Sequence, residues 1–415
     1  MPMTWLSSRT PPEGLQRHLV TFTRWCGDNL LEVNTSKSWV MAFGLLPVRL
    51  PRFTLNGHTV RYTDCFCYVG LTFKSTTSNI FSSHYTAKAA TARKTGHTVI
   101  GIEAYIGDLP PREGRLLYMA CIDPHLVSGA DIVIDVDDKA LANLEKVQNA
   151  FLRRLLGLGQ YSMRTPLFTE LGLVPLRYRR LILAIRYLGY LVPGLADTHY
   201  ARAALQDSYD SDPNGLQGYW MDLVYALKNL RFPVDLTALP DLTSPVCAEL
   251  GKAVYSSAMK YLEAEVAAST RLYLLHDRRE PLAKDAPKKI TVVFHHYLGL
   301  ITNAKHRKAL THLLVSQHPL AVERMRYKSR YHRATVARDD RLCRFGCNIT
   351  ETVEHALFFC EANPGLGDLR ANFVAAMQHL EPRICSVAPW NATNILESII
   401  FWRDTVCRVA KFAYR

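Results

Sequence analysis

No uncharged apolar run of about 18 residues, the least a bilayer-crossing helix needs, occurs in the 415-residue sequence. The most apolar stretch, Leu176 to Val192, is broken by Arg177, Arg179, Arg180 and Arg186. A secretory leader is not expected either, because Arg9, Glu13 and Arg17 interrupt any apolar stretch near the start. Also missing are a Gly-x4-Gly-Lys-Ser/Thr loop, a Gly-x-Gly-x2-Gly turn and a Gly-x-Ser-x-Gly elbow. Their absence removes the usual signatures of phosphate-loop enzymes, dinucleotide-binding enzymes and serine hydrolases. Gly (22) and Pro (21) are too ordinary in number for low-complexity disorder. Acid is scarce beside base: 37 Asp+Glu face 50 Lys+Arg, a net charge of +13. That excess draws polyanions. The expectation is nucleic acid rather than membrane as partner, in an intracellular setting, nuclear or cytoplasmic.

A hydrophobic content of 48% is enough for two or three cored domains. Leu15, Leu19, Phe22, Trp25 and Leu30 recur at helical spacing and predict a helix from Gly14 to near Asn34. A strand is expected over Lys37–Phe43. A hairpin is expected from Phe53–Leu55 and Thr59–Tyr62 across Asn56-Gly57, a dipeptide that accepts positive φ. Phe66–Phe73 reads as a third strand of a small antiparallel sheet. Helices are expected over His84–Tyr105, Gly114–Val127 and residues 139–158. The last carries an apolar stripe of Leu141, Leu144, Val147, Phe151, Leu155 and Leu158. Lys139, Lys146 and Arg153 lie together off that stripe. Gln206–Gly218 and Phe232–Pro245 read as loops, and 278–290, with two prolines and charges of both signs, as a linker.

Three of the ten cysteines crowd together. Cys343-x3-Cys347-x7-His355-x4-Cys360 offers three thiolates and an imidazole within 18 residues. Tetrahedral zinc needs such a set, and four filled positions make the ion structural rather than catalytic. Four unrelated core side chains remain the alternative, since free Cys packs well.

Residues 305–341, just before this cluster, hold ten Lys or Arg, including Arg326, Lys328 and Arg330, with Tyr327 and Tyr331 interleaved. Such a stretch can neutralise phosphates and stack bases; a solvated basic helix is the bland alternative. Two acidic pairs, Asp137-Asp138 and Asp339-Asp340, lack the apolar hairpin setting that two-metal chemistry needs.

These residues resemble a known family. Leu15-Gln16-Arg17-His18-Leu19, Phe22, Trp25-Cys26 and Leu31 to Lys37 resemble the segment after the catalytic hairpin of non-LTR (LINE-type) retrotransposon reverse transcriptases, with a fungal look. Cys67-Tyr68-Val69-Gly70-Leu71 resembles their primer-grip turn. Leu144 to Gln148, Leu152 to Gly157 and Glu170 to Leu176 are similar to their thumb and post-thumb segments. The Cys-Cys-His-Cys cluster is similar to their zinc knuckle.

The resemblance implies an α+β, mostly α chain. A truncated palm would fill 1–75, a helical thumb 76–205, a helical connection 206–290, and a basic C-terminal region 291–415 with its knuckle at 343–360. It implies nucleic-acid contacts at Lys37, Tyr68, Gly70, Lys146, Arg153, Arg154, Arg179, Arg180, Arg326, Lys328 and Arg330. The partner would be RNA, DNA or their hybrid. The aromatic-x-Asp-Asp hairpin of the family has no counterpart here, for Met1-Pro2 stand in its place. No catalytic residue is therefore expected, and magnesium only if an upstream segment supplies the acids. A palm without its other half would expose apolar surface and self-associate. A piece of an active RNA-directed DNA polymerase, a transposon relic and a helical interaction scaffold stay open as alternatives.

Overall fold

The structure, a computed structural model, describes residues 12–44, 47–196, 198–211, 218–281, 287–327 and 334–415. It is mostly helical with a few short strands, so the α+β, mostly α class holds. Two compact units divide the chain, Met1–Ala87 and Lys88–Arg415. Among the described residues no helix is long and apolar enough to cross a membrane.

In the first unit the spacing from Leu15 builds α1 (Pro12–Asp28). The strand expected over 37–43 shrinks to β1 (Trp39–Val40). Asn34 is the cause. Its side chain accepts the Lys37 amide at 3.1 Å and winds residues 35–37 into a 3-10 turn, and such local capture competes with strand pairing. Asn56 and Gly57, with φ of +50° and +76°, turn β2 (Thr54–Leu55) back onto β3 (His58–Thr59). β4 (Arg61–Tyr62) pairs parallel with β1.

The single strand expected over Phe66–Phe73 is a second hairpin, β5 (Cys65–Tyr68) against β6 (Leu71–Lys74). Val69 and Gly70 turn it, with φ of +47° and +82°. The expected antiparallel sheet is thus three separate two-stranded pairs, one of them parallel. Val20, Trp25, Leu30, Leu31, Trp39 and Phe43 of this unit are exposed.

Helix α2 spans Ser82–Gly101, and α3 (Glu103–Ile106) and α4 (Pro111–Leu117) follow. A π-helical turn over Tyr118–Ile122 leads into α5 (Asp123–Leu126). α6 (Asp138–Leu156) starts where the Asp137 carboxylate accepts the amides of Lys139 and Ala140 at 2.9 and 3.1 Å. That capping role accounts for one acidic pair. The stripe of α6 is buried, and Phe151 lies 5.8 Å from the Tyr118 ring.

Next come α7 (Thr165–Leu171), α8 (Leu176–Gly194), α9 (Tyr200–Asp210), α10 (Tyr219–Lys228) and α11 (Ser244–Ala268). α8 and α11 pack face to face, burying Leu181, Ile185 and Leu188 with Val254 and Ala258. Three of the arginines that bar α8 from a membrane find carboxylate partners: Arg177 pairs with Asp138, Arg179 with Asp123 and Arg180 with Asp135.

The segment expected to be a linker over 278–290 begins in the core. Arg278 is buried and donates to both carboxylate oxygens of buried Glu170, at 2.8 and 2.7 Å. Glu280, also buried, bonds His295 Nδ1 at 2.7 Å. Mixed charge there means mutual pairing rather than solvation. Residues 282–286 lie outside the described residues. The C-terminal part comprises α12 (His296–Leu300), α13 (Ala304–Leu314), α14 (Ala321–Arg324), α15 (Pro364–Met377), α16 (Ala392–Phe401) and α17 (Arg403–Tyr414). Phe373 of α15 stacks on Phe412 of α17 at 4.4 Å.

Candidate metal centre

Two short pieces of backbone bring the four sulfur and imidazole ligands together. The first is a knuckle. Leu342 bridges Thr350, and the Cys343 amide donates to the Ile349 carbonyl at 2.9 Å. Between them the chain reverses through Gly346 and Asn348, at φ +88° and +53°. Gly and Asn are the residues that take such angles at least cost. This places Cys343 and Cys347 on one side. The second piece is a π-helical turn over His355–Phe359, started where Thr352 Oγ1 accepts the His355 amide at 3.2 Å. The Cys360 amide closes it on the His355 carbonyl at 2.9 Å, so His355 and Cys360 face the knuckle.

The four ligand atoms all lie within 4.8 Å of one another. Cys360 Sγ is 3.7 Å from Cys343 Sγ and 3.6 Å from Cys347 Sγ. A disulfide would need about 2.05 Å. Two thiolates each about 2.3 Å from one tetrahedral ion stand roughly 3.7 Å apart. His355 is buried, yet neither ring nitrogen has a hydrogen-bond partner. Leaving a buried polar atom unpaired costs about 1–3 kcal/mol, and a bound cation would remove that cost at the nitrogen that ligates it. Burial also holds the imidazole below its ordinary pKa, in the neutral form that ligates. Burial, then the neighbouring thiols, push Cys360 up to about 11. Three crowded thiols cannot all ionise without a positive charge among them. The group can hold a metal ion, and its donors suit zinc.

The described residues among the expected nucleic-acid contacts sit in different local settings. Lys37 is exposed on its 3-10 turn, Tyr68 ends β5, and Gly70 sits in the following turn. Lys146 is exposed on α6. Several of the arginines hold the fold together. Arg180 is buried, pairs with Asp135 at 2.9 Å and donates to the carbonyls of Leu126 and Val133. It cannot reach a phosphate from there, which corrects the expectation. Arg179 bonds Asp123, whose side chain is 2% exposed, through two nitrogens. Arg153 donates to the hydroxyl and carbonyl of Ser162, each at 3.0 Å. Arg154 pairs with Glu103 at 2.5 Å and Arg326 with Glu323 at 3.1 Å. Lys328 and Arg330 lie outside the described residues.

Sequence reasoning missed what holds the knuckle. Glu351 accepts the Ala321 amide at 2.5 Å and Arg344 Nε at 2.6 Å. Arg341 donates to the carbonyls of Val322 at 2.6 Å and Val336 at 3.0 Å. In the sequence these look like ordinary members of a charged stretch; their adjacency to ligand positions was the only signal. Neither a protein-family profile, nor a curated protein, nor a solved structure matches this chain.

Proposed function

We propose that this chain is a catalytically incomplete, reverse-transcriptase-derived protein that binds nucleic acid, with its C-terminal region held by a structural zinc. The observation that carries the zinc is the Cys343–Cys347–His355–Cys360 group, with all ligand atoms within 4.8 Å and an unpartnered buried imidazole. All four positions of a tetrahedral shell are supplied by protein, so no place is left for water or substrate. The zinc would act by fixing the fold.

Nucleic acid is supported by the net charge of +13 and by the link between the centre and the basic flank. Arg341, two residues before Cys343, ties the carbonyls of Val322 and Val336, which bracket residues 323–335. Metal loading would thus steady the roots of the basic segment. The ordered motif set supports a reverse-transcriptase origin. No aromatic-x-Asp-Asp occurs in these residues, so magnesium-dependent polymerisation would belong only to a chain that supplies it upstream.

A filter-binding titration of the full chain against RNA, single-stranded DNA and hybrid tests this reading. Binding should be nearly sequence-independent and weaken as salt rises. No binding at low salt would overturn it. A second reading, a helical interaction scaffold, is favoured by the internal engagement of Arg153, Arg154, Arg179, Arg180 and Arg326. It predicts that null result.

A further inference from the structure

Beyond the four ligands, one side chain grips the turn that carries two of them. Arg370, on the second turn of α15, lies ten residues past Cys360 and outside the Cys/His pattern. Its Nε donates to the Leu357 carbonyl at 2.8 Å. Its Nη2 donates to the Cys360 carbonyl at 3.0 Å and, more weakly, to that of Ala356 at 3.4 Å. These carbonyls belong to the stretch joining His355 to Cys360. A planar guanidinium can hold several acceptors in one fixed arrangement, which an ammonium cannot.

The helix that presents Arg370 is seated independently of the ligands. The Asn363 side chain caps its start by accepting the Leu366 amide, while Phe373 stacks on Phe412 and Met377 is fully buried. Charge points the same way. Three thiolates around a divalent zinc and a neutral imidazole leave one net negative charge in a partly buried site. Glu351 nearby is matched by Arg344. The Arg370 guanidinium, held against the backbone of Cys360, is placed to balance the remaining charge.

We propose that Arg370 is a positioning residue of the metal centre: it fixes the His355–Cys360 turn for ligation and offsets the negative charge of the loaded site. This rests on the zinc reading above. Outer-shell partners of this kind are worth about 10–100-fold in metal affinity.

The test is competition for zinc against a chromophoric chelator, using the full chain as wild type, Arg370→Ala, Arg370→Lys and Arg370→Gln. Arg383→Ala, at an arginine 61% exposed that pairs with Glu381, is the control. Thermal melting of each metal-free protein is recorded alongside. Arg370→Ala should bind zinc about 10–100-fold more weakly, with Arg370→Lys in between and the control unchanged. The loss in affinity should exceed any change in metal-free melting, which a purely structural arginine would not produce. Should Arg370→Ala fail to fold, Arg370→Gln and Arg370→Lys decide by the same ranking. Wild-type affinity in the folded variants would overturn the role of Arg370. A wild-type chain that takes up no zinc would instead overturn the centre itself.

Discussion

Arg180 and Asp135 form an ion pair of 2.9 Å in which the two side chains are 2% and 3% exposed. Removing one partner strands the other charge in the core, at a cost of about 3–5 kcal/mol. Arg180→Ala is therefore expected to lower the unfolding free energy by about that amount in urea denaturation. Nucleic-acid affinity per folded molecule should stay near wild type. A loss of affinity without a loss of stability would return Arg180 to the binding surface.

The clamp around His295 predicts acid sensitivity. His295 is buried between Arg278, which bonds its Nε2, and Glu280, which bonds its Nδ1; Glu170 lies against Arg278 and His296 against Glu280. Burial first, then the Arg278 charge, holds the His295 pKa below its ordinary value of 6.5. The unfolded chain therefore takes up the proton first. The contribution is fully present above the unfolded value and is lost as pH falls below about 6.5, by up to about 1.4 kcal/mol per pH unit. Urea titrations at stepped pH should show that slope, and His295→Gln should flatten it. An unchanged slope in the variant would assign the acid sensitivity elsewhere.

Gly172 ends α7 at φ +62°, and a Cβ there would stand 2.5 Å from the Phe294 amide nitrogen and 2.7 Å from the Val293 carbonyl carbon. Both atoms are backbone and cannot swing aside. The close approach lets Leu171 bridge Phe294, which sets His295 beside Glu170. Gly172→Ala is expected to cost more than the roughly 1–2 kcal/mol of left-handed strain alone, read from the shift in urea midpoint. A shift under that range would mean the two segments separate easily.

Lys146, one of the expected thumb contacts, stands exposed on α6. A phosphate contact there should weaken binding uniformly across sequences when Lys146 is changed to Ala. It should also reduce the slope of log affinity against log salt by about 1. An unaltered slope would remove Lys146 from the interface.

Much of the helical layout was legible because period and caps are local. The buried stripe of Leu141, Leu144 and Leu155, the Asp137 cap and the Asn56-Gly57 turn all follow from neighbours in sequence. The Cys/His spacing likewise yielded a group that converges. What escaped depends on distant partners or on unusual backbone. Val69 is β-branched, so nothing in its identity announced a positive φ that splits one strand into two. Arg180 finds Asp135 across 45 residues, and Arg278 finds Glu170 across 108. A basic residue looks alike in sequence whether it faces solvent or a buried carboxylate. The thumb resemblance therefore marked Arg179 and Arg180 as phosphate contacts, whereas the fold pairs them with Asp123 and Asp135.

Whether the four Cys and His side chains hold zinc is read from the metal content of the protein. Protein purified without added chelator, measured by plasma mass spectrometry against its molar concentration, should carry close to one zinc per chain, and Cys360→Ser should carry little. Wild-type protein with no stoichiometric metal, or a Cys360→Ser variant that keeps a full complement, would contradict the assignment of Cys343, Cys347, His355 and Cys360 as a zinc centre.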